Sequence, residues 1–177
     1  MNNMTAVCSV QTEDCDVEFW MTEEVLKVRE PAPDFALKDD HGCVRTLKDF
    51  RGKKLILYFY PEDETSGCTI EAQGFRDHLE DFARAGWQVV GVSNDDVAAH
   101  CGFRDHHGLN FRLLCDVGRT LSNDCGLMSE QVKDGKSRIR INRSTLLIDE
   151  NGRFLKVMKG VAAREHVAEL LQMLCSK

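Results

Sequence analysis

Two apolar runs stand out in a chain that otherwise mixes polar and apolar positions. "KLILYFY", Lys54 to Tyr60, and "WQVVGVS", Trp87 to Ser93, contain few polar residues. A strand exposed on one face alternates; an unbroken run implies burial on both faces, as in the centre of a parallel sheet. Between the runs the period changes. Phe75, Leu79, Phe82 and Ala83 recur at helical spacing after Cys68, and Gly86 is a natural stop. After the second run, "NDDVAAHCGFRDHHG" predicts a helix with Asn94 or Asp95 as N-cap and Gly108 past its end. "FRLLCD" is a short strand and "VGRTLSNDCGL" a short helix. "RSTLLIDENGRFLKVMKG" reads as two strands joined through "ENG". Val167, Leu170, Leu171 and Leu174 form the stripe of a closing helix. Upstream, the prolines of "REPAPDFAL" stiffen an extended segment, and "KDDHG" is a turn.

Strand, helix, strand, helix, then a hairpin and a closing helix is the order of a thioredoxin-like α/β domain. It predicts a central mixed sheet flanked by helices over residues 25–177. Residues 1–24 do not join the pattern. They are acidic, lack Gly and Pro, and read as a flexible N-terminal extension.

Composition narrows the function classes. With 177 residues, 42% hydrophobic and 29% charged, the chain suits one globular domain with a sizeable core. A net charge of −6 argues against nucleic acid or an anionic membrane as partner. No apolar run approaches the roughly 20 residues of a membrane span. The N-terminus has neither the basic start nor the apolar stretch of a secretion signal. Eight cysteines occur without a CxxC pair or repeated spacing, so neither a zinc knuckle nor a disulfide framework is implied. They read as reduced thiols in a reducing, cytoplasmic compartment.

One segment carries chemistry. "PEDETSGCTIE", residues 61–71, follows the first buried strand and places Cys68 in the first turn of a helix. Backbone N–H groups there lack internal partners, and the macrodipole adds about half a positive charge. Both favour the thiolate, the reactive form of sulfur. Thr65 offers a hydroxyl that can donate to one substrate atom and accept from another. Pro61 lacks an N–H and its ring can cover the sulfur; Gly67 permits close backbone approach. Taken singly, each has a plainer reading: buried filler for Cys68, a turn hydroxyl for Thr65, a strand terminator for Pro61.

The segment resembles the peroxiredoxins, whose signature P-x-x-x-T-x-x-C is met by Pro61, Thr65 and Cys68. Its surroundings, "FRGKKLILYFYPEDETSGCTIEAQGFRD", are similar to the Q-type branch, also called bacterioferritin comigratory protein. The likeness continues through "APDFAL", "VVGVSNDDVAAH", "FRLLCD" and "RSTLLIDENG", covering about residues 25–174. It implies a thiol peroxidase that reduces hydrogen peroxide and small organic hydroperoxides. Cys68 would be the peroxidatic sulfur, Thr65 the hydroxyl that bonds peroxide and thiolate, and Pro61 the shielding proline. Arg143 would be the arginine beside the sulfur and Glu71 the carboxylate that orients it. A guanidinium gives fixed, always-charged donors that a lysine would not replace. No haem, flavin or metal is implied, and the reductant would be thioredoxin, glutaredoxin or a similar thiol carrier. Relatives of this branch are mostly monomers, some weak dimers.

The residue that resolves the sulfenic acid is left open. Some Q-type enzymes carry a second Cys five residues after the first, where this chain has Gln73. Others carry it in the next helix, at a position aligned with Arg104; Cys101 lies one helical turn earlier. Three schemes follow: Cys101 condenses with Cys68, an external thiol attacks Cys68, or Cys8 or Cys15 of the extension does so. Cys43, Cys115, Cys125 and Cys175 lack a helix start and a neighbouring Arg to activate them. His100, Cys101, His106 and His107 do not make a tetrahedral set at helical spacing and read as a solvated helix face. Two rival functions remain: a peroxide sensor in which Cys68 oxidation regulates a partner, and a disulfide oxidoreductase. The latter is disfavoured by Cys68-Thr69-Ile70-Glu71 standing where CxxC is needed.

Overall fold

The computed structural model describes residues 27–175, so the extension at 1–24, with Cys8 and Cys15, lies outside the described residues. The strands are β1 (Ala36–Asp39), β2 (Val44–Thr46), β3 (Lys54–Phe59), β4 (Trp87–Ser93), β5 (Arg112–Cys115), β6 (Met128–Lys133), β7 (Lys136–Ile141), β8 (Ser144–Ile148) and β9 (Phe154–Lys159). The helices are α1 (Ser66–Asp77), α2 (Leu79–Arg84), α3 (Val97–His107), α4 (Thr120–Asp124) and α5 (His166–Cys175). Seven strands form one mixed sheet in the order β2-β1-β5-β4-β3-β8-β9. β3, β4 and β5 run parallel, as their helical crossovers require, while β8 pairs antiparallel with β3.

The apolar runs do what their pattern demands. Along β3, Leu55, Leu57 and Phe59 join one core with Val90, Val92, Leu146 and Ile148. Ile56, Tyr58 and Tyr60 join the other, with Phe75, Phe82, Phe103 and Leu170 from the helices. Side chains of period two on a strand buried on both sides leave no polar position.

Three local expectations change. The helix after Cys68 is two helices, α1 and α2, separated at His78, whose φ of −111° and ψ of 14° interrupt the helical path. The N-cap of α3 is Asp96, not Asn94 or Asp95; its side chain accepts from the Ala99 amide at 2.9 Å. Asp95 is engaged elsewhere, accepting from the Ser93 hydroxyl at 2.6 Å and the Asp63 amide at 2.9 Å. A separate two-stranded hairpin, β6–β7, has no counterpart in the sequence reading. Its turn is Asp134-Gly135 with φ of 53° and 71°, the conformation that selects this dipeptide.

The central strands approach closely at Gly91. A Cβ there would lie 2.8 Å from Leu113 Cδ2 and 2.9 Å from Tyr58 Cζ. Both neighbours are fully buried and cannot retreat. Gly91→Ala should therefore cost about 1–3 kcal/mol by overpacking, read as a lowered denaturation midpoint with unchanged m-value.

Candidate active site

β3 delivers the chain to the site. The Tyr60 amide still donates to the Val92 carbonyl at 3.0 Å, and pairing stops at Pro61, which has no N–H. The loop that follows is tied down from beneath. Asp63 is buried and accepts from the Tyr60 hydroxyl at 2.8 Å; its other oxygen lies 2.7 Å from His100 Nδ1. His100 Nε2 faces the Leu114 carbonyl at 3.2 Å. Two acceptors flank the ring, an arrangement that favours the doubly protonated imidazolium. Burial alone would lower the His100 pKa; the Asp63 carboxylate outweighs it and raises it. His100 is thus no part of a solvated helix face but a buried anchor of the loop.

Glu64 takes a left-handed φ of 60°, and Thr65 then serves as the extended residue preceding α1. The Thr65 hydroxyl donates to the Glu62 carbonyl at 3.1 Å and does not cap the helix. The first intrahelical bond runs from the Thr69 amide to the Thr65 carbonyl at 2.9 Å. Ser66, Gly67 and Cys68 precede it, so the sulfur sits at the electropositive end of α1.

Arg143 reaches Cys68 from the far side of the chain, just before β8. One guanidinium nitrogen, Nη2, lies 3.2 Å from Cys68 Sγ; the other, Nη1, donates to Glu71 Oε2. Cys68 is 1% exposed, Glu71 is fully buried, and the Arg143 side chain is 15% exposed. The planar fork spans two partners one helical turn apart on α1. Gly67 makes room for it, since a Cβ there would stand 3.3 Å from Arg143 Nη2. Burial pushes the Glu71 carboxyl up to about 7, against the pull of Arg143. Arg143 stays charged: burial opposes this, and Glu71 and Cys68 together prevail and raise its pKa.

The remaining expected residues fall as follows. Pro61 is half-buried and lines a cavity of about 360 Å³ with Glu62, Asp95, Arg119, Arg138 and Arg140. Cys101 is half-buried on α3, 3.3 Å from Arg104 Nη2 and 3.7 Å from Asp105 Oδ2. The six described cysteines are all free thiols. Cys115 and Cys125 are buried, and burial pushes each thiol up to about 12, consistent with inert filler. His106 and His107 do converge with a third group: the carboxylate of Glu64 lies 3.1 Å from His106 Nδ1 and 2.9 Å from His107 Nε2. Spacing along α3 alone gave no sign of this, because Glu64 comes from another segment.

A buried carboxylate, the guanidinium it holds and a thiol at a helix start define a site for nucleophilic sulfur chemistry. The profile of the AhpC/TSA family matches residues 28–156, and the chain belongs to that family. It is 42% identical over 149 residues to Peroxiredoxin Bcp of Bacillus subtilis, covering 84% of this chain and 95% of that one. Among solved structures it is similar to Xanthomonas campestris Peroxiredoxin Q, with a TM-score of 0.77, 33% identity, and coverage of 85% and 95%. A second structure, of Xanthomonas campestris bacterioferritin comigratory protein, concerns that protein's alkyl peroxide reduction activity. It matches at 32% identity and a TM-score of 0.77, covering 85% and 96%. The fold is that of thioredoxin-like peroxiredoxins, and the chain is a peroxiredoxin, a peroxidase of the oxidoreductase class.

Behind the site, His166 Nε2 pairs with the Thr145 hydroxyl at 2.7 Å, and burial, with the Arg143 charge second, lowers the His166 pKa to about 4. The folded protein keeps this ring neutral while the unfolded chain protonates it near 6.5. Stability from this group is therefore present above 6.5 and lost as pH falls toward 4. The loss is about 3 kcal/mol at most. Urea midpoints at pH 6.5 and 4.5 should fall less in His166→Gln, which cannot titrate, than in the parent.

Proposed function

We propose that Cys68 is the peroxidatic sulfur and that Arg143, Thr65, Pro61 and Glu71 assist it. The Cys68 thiolate attacks the nearer oxygen of a hydroperoxide. An S–O bond forms as the O–O bond breaks, and the far oxygen leaves as hydroxide or alkoxide and takes a proton. Sulfur is oxidised to sulfenic acid and the peroxide is reduced to water or an alcohol. The contact that carries this reading is the 3.2 Å approach of Arg143 Nη2 to Cys68 Sγ. A fixed guanidinium beside the reacting sulfur favours the thiolate and meets negative charge growing on the oxygens. Glu71 aims that guanidinium from the other end. Thr65 presents its hydroxyl at the mouth of α1, and Pro61 shields the sulfur.

Hydrogen peroxide and small alkyl hydroperoxides are the substrates, in keeping with the alkyl peroxide activity stated for the Xanthomonas relative. A thiol then attacks the sulfenic acid, releasing water and leaving a mixed disulfide, and a second thiol restores Cys68. We assign the first attack to an external thiol carrier such as thioredoxin. Support comes from Cys101, which is held by Arg104 and Asp105. The protein acts as a cytoplasmic monomer or weak dimer, and residues 1–24 are not needed for turnover. Sensing without turnover is the rival role; sustained peroxide consumption with a thioredoxin system excludes it.

Cys68→Ser should abolish peroxide reduction. Arg143→Ala should lower kcat/KM at least ~100-fold, as for a lost oxyanion donor, and Arg143→Lys should lose most of the same factor because one ammonium cannot span two partners. Cys101→Ser should keep most of the turnover. Coupled assays of these variants check the assignment, and fast turnover in Cys68→Ser would end it.

A further inference from the structure

Glu64, His106 and His107 lie outside the machinery assigned above, yet they join the catalytic loop to α3. Glu64 immediately precedes Thr65, and His106 and His107 close the last turn of α3. Their ligand atoms all lie within 4.8 Å of one another. The two direct approaches to the carboxylate are 3.1 and 2.9 Å. Donor atoms bound tetrahedrally at about 2.0–2.1 Å from a zinc-class ion stand roughly 3.3 Å apart, so small side-chain shifts would suffice. Two imidazoles and one carboxylate are the borderline donor set that such an ion prefers, and they disfavour calcium and magnesium, which prefer oxygen ligands. The His106 and Glu64 side chains are 70% and 49% exposed, leaving a fourth position open to water. His107 has an outer partner as well: Gln73 Nε2 on α1 lies 3.4 Å from its Nδ1. With the ion on Nε2, the Nδ1–H would donate to the Gln73 carbonyl oxygen after an amide flip, fixing the tautomer.

We propose that Glu64, His106 and His107 bind a divalent ion of the zinc class, clamping the Glu62–Cys68 segment to the end of α3. Binding exchanges the two His–Glu64 hydrogen bonds for three bonds to metal and releases any proton held on the ligating nitrogens. The clamp has a consequence that rests on the peroxidase reading: Cys68 is buried, so an outside thiol reaches it only if this segment opens. The binding itself needs nothing from that reading.

The test uses cobalt(II) as the probe on the full, reduced chain without an affinity tag. One equivalent should bind with visible d–d bands of nitrogen and oxygen ligation and no sulfur-to-cobalt charge-transfer band. His106→Ala/His107→Ala and Glu64→Gln should each weaken it by at least about tenfold, and Gln73→Ala by roughly tenfold. Hydrogen exchange of amides 62–68 should slow on metal addition in the parent and not in the double variant. Because these readouts do not depend on turnover, a failed peroxidase assignment would leave them intact. Absent binding, equal affinity in the double variant, or a sulfur charge-transfer band would overturn the site. Binding with unchanged exchange would overturn the clamp.

Discussion

The structure turns on one planar cation held between two buried groups. Arg143 gives one nitrogen to the sulfur of Cys68 and the other to the carboxylate of Glu71. Neither group could be buried as an unpaired anion without a large desolvation cost. The guanidinium makes both tolerable, and its rigidity fixes their geometry in one plane. The balance at Glu71 is close: burial lifts its carboxyl to about 7 even beside a permanent cation. The stability of this arrangement is thus limited by desolvation, which is the usual condition of a site built for reactivity.

Other features serve that placement. The β3 strand is buried on both faces and ends at a proline, which fixes where the loop begins. Asp63 and the His100 ring hold the loop from below, so the start of α1 has a defined position over the sheet. β8 lies antiparallel beside β3, and that pairing, with Phe59 opposite Ser144, brings Arg143 to the same end of the strands as Pro61. Strand order is therefore a condition of the chemistry as well as of the core.

How far the sequence disclosed this depends on the range of each contact. The doubly buried strands and the Pro61, Thr65 and Cys68 spacing are local patterns, and they read directly. Arg143 stands 75 residues from Cys68, and only the family resemblance pointed to it. The pairing of His100 with Asp63 spans 37 residues and leaves no periodic trace, so the local pattern alone gives His100 a solvated position. Glu64 with His106 and His107 was hidden for the same reason. The apolar spacing carries across His78 and hides the break there, whereas the Asp134-Gly135 dipeptide is a turn signal legible in the sequence itself.

Peptide-resolved oxidation after less than one equivalent of hydrogen peroxide, followed by alkylation of the remaining thiols, probes the central arrangement most directly. If the Arg143 fork activates the buried sulfur, Cys68 is oxidised first, while Cys43, which is exposed, stays reduced and alkylated. Oxidation that followed exposure, with Cys43 ahead of Cys68, would contradict the account.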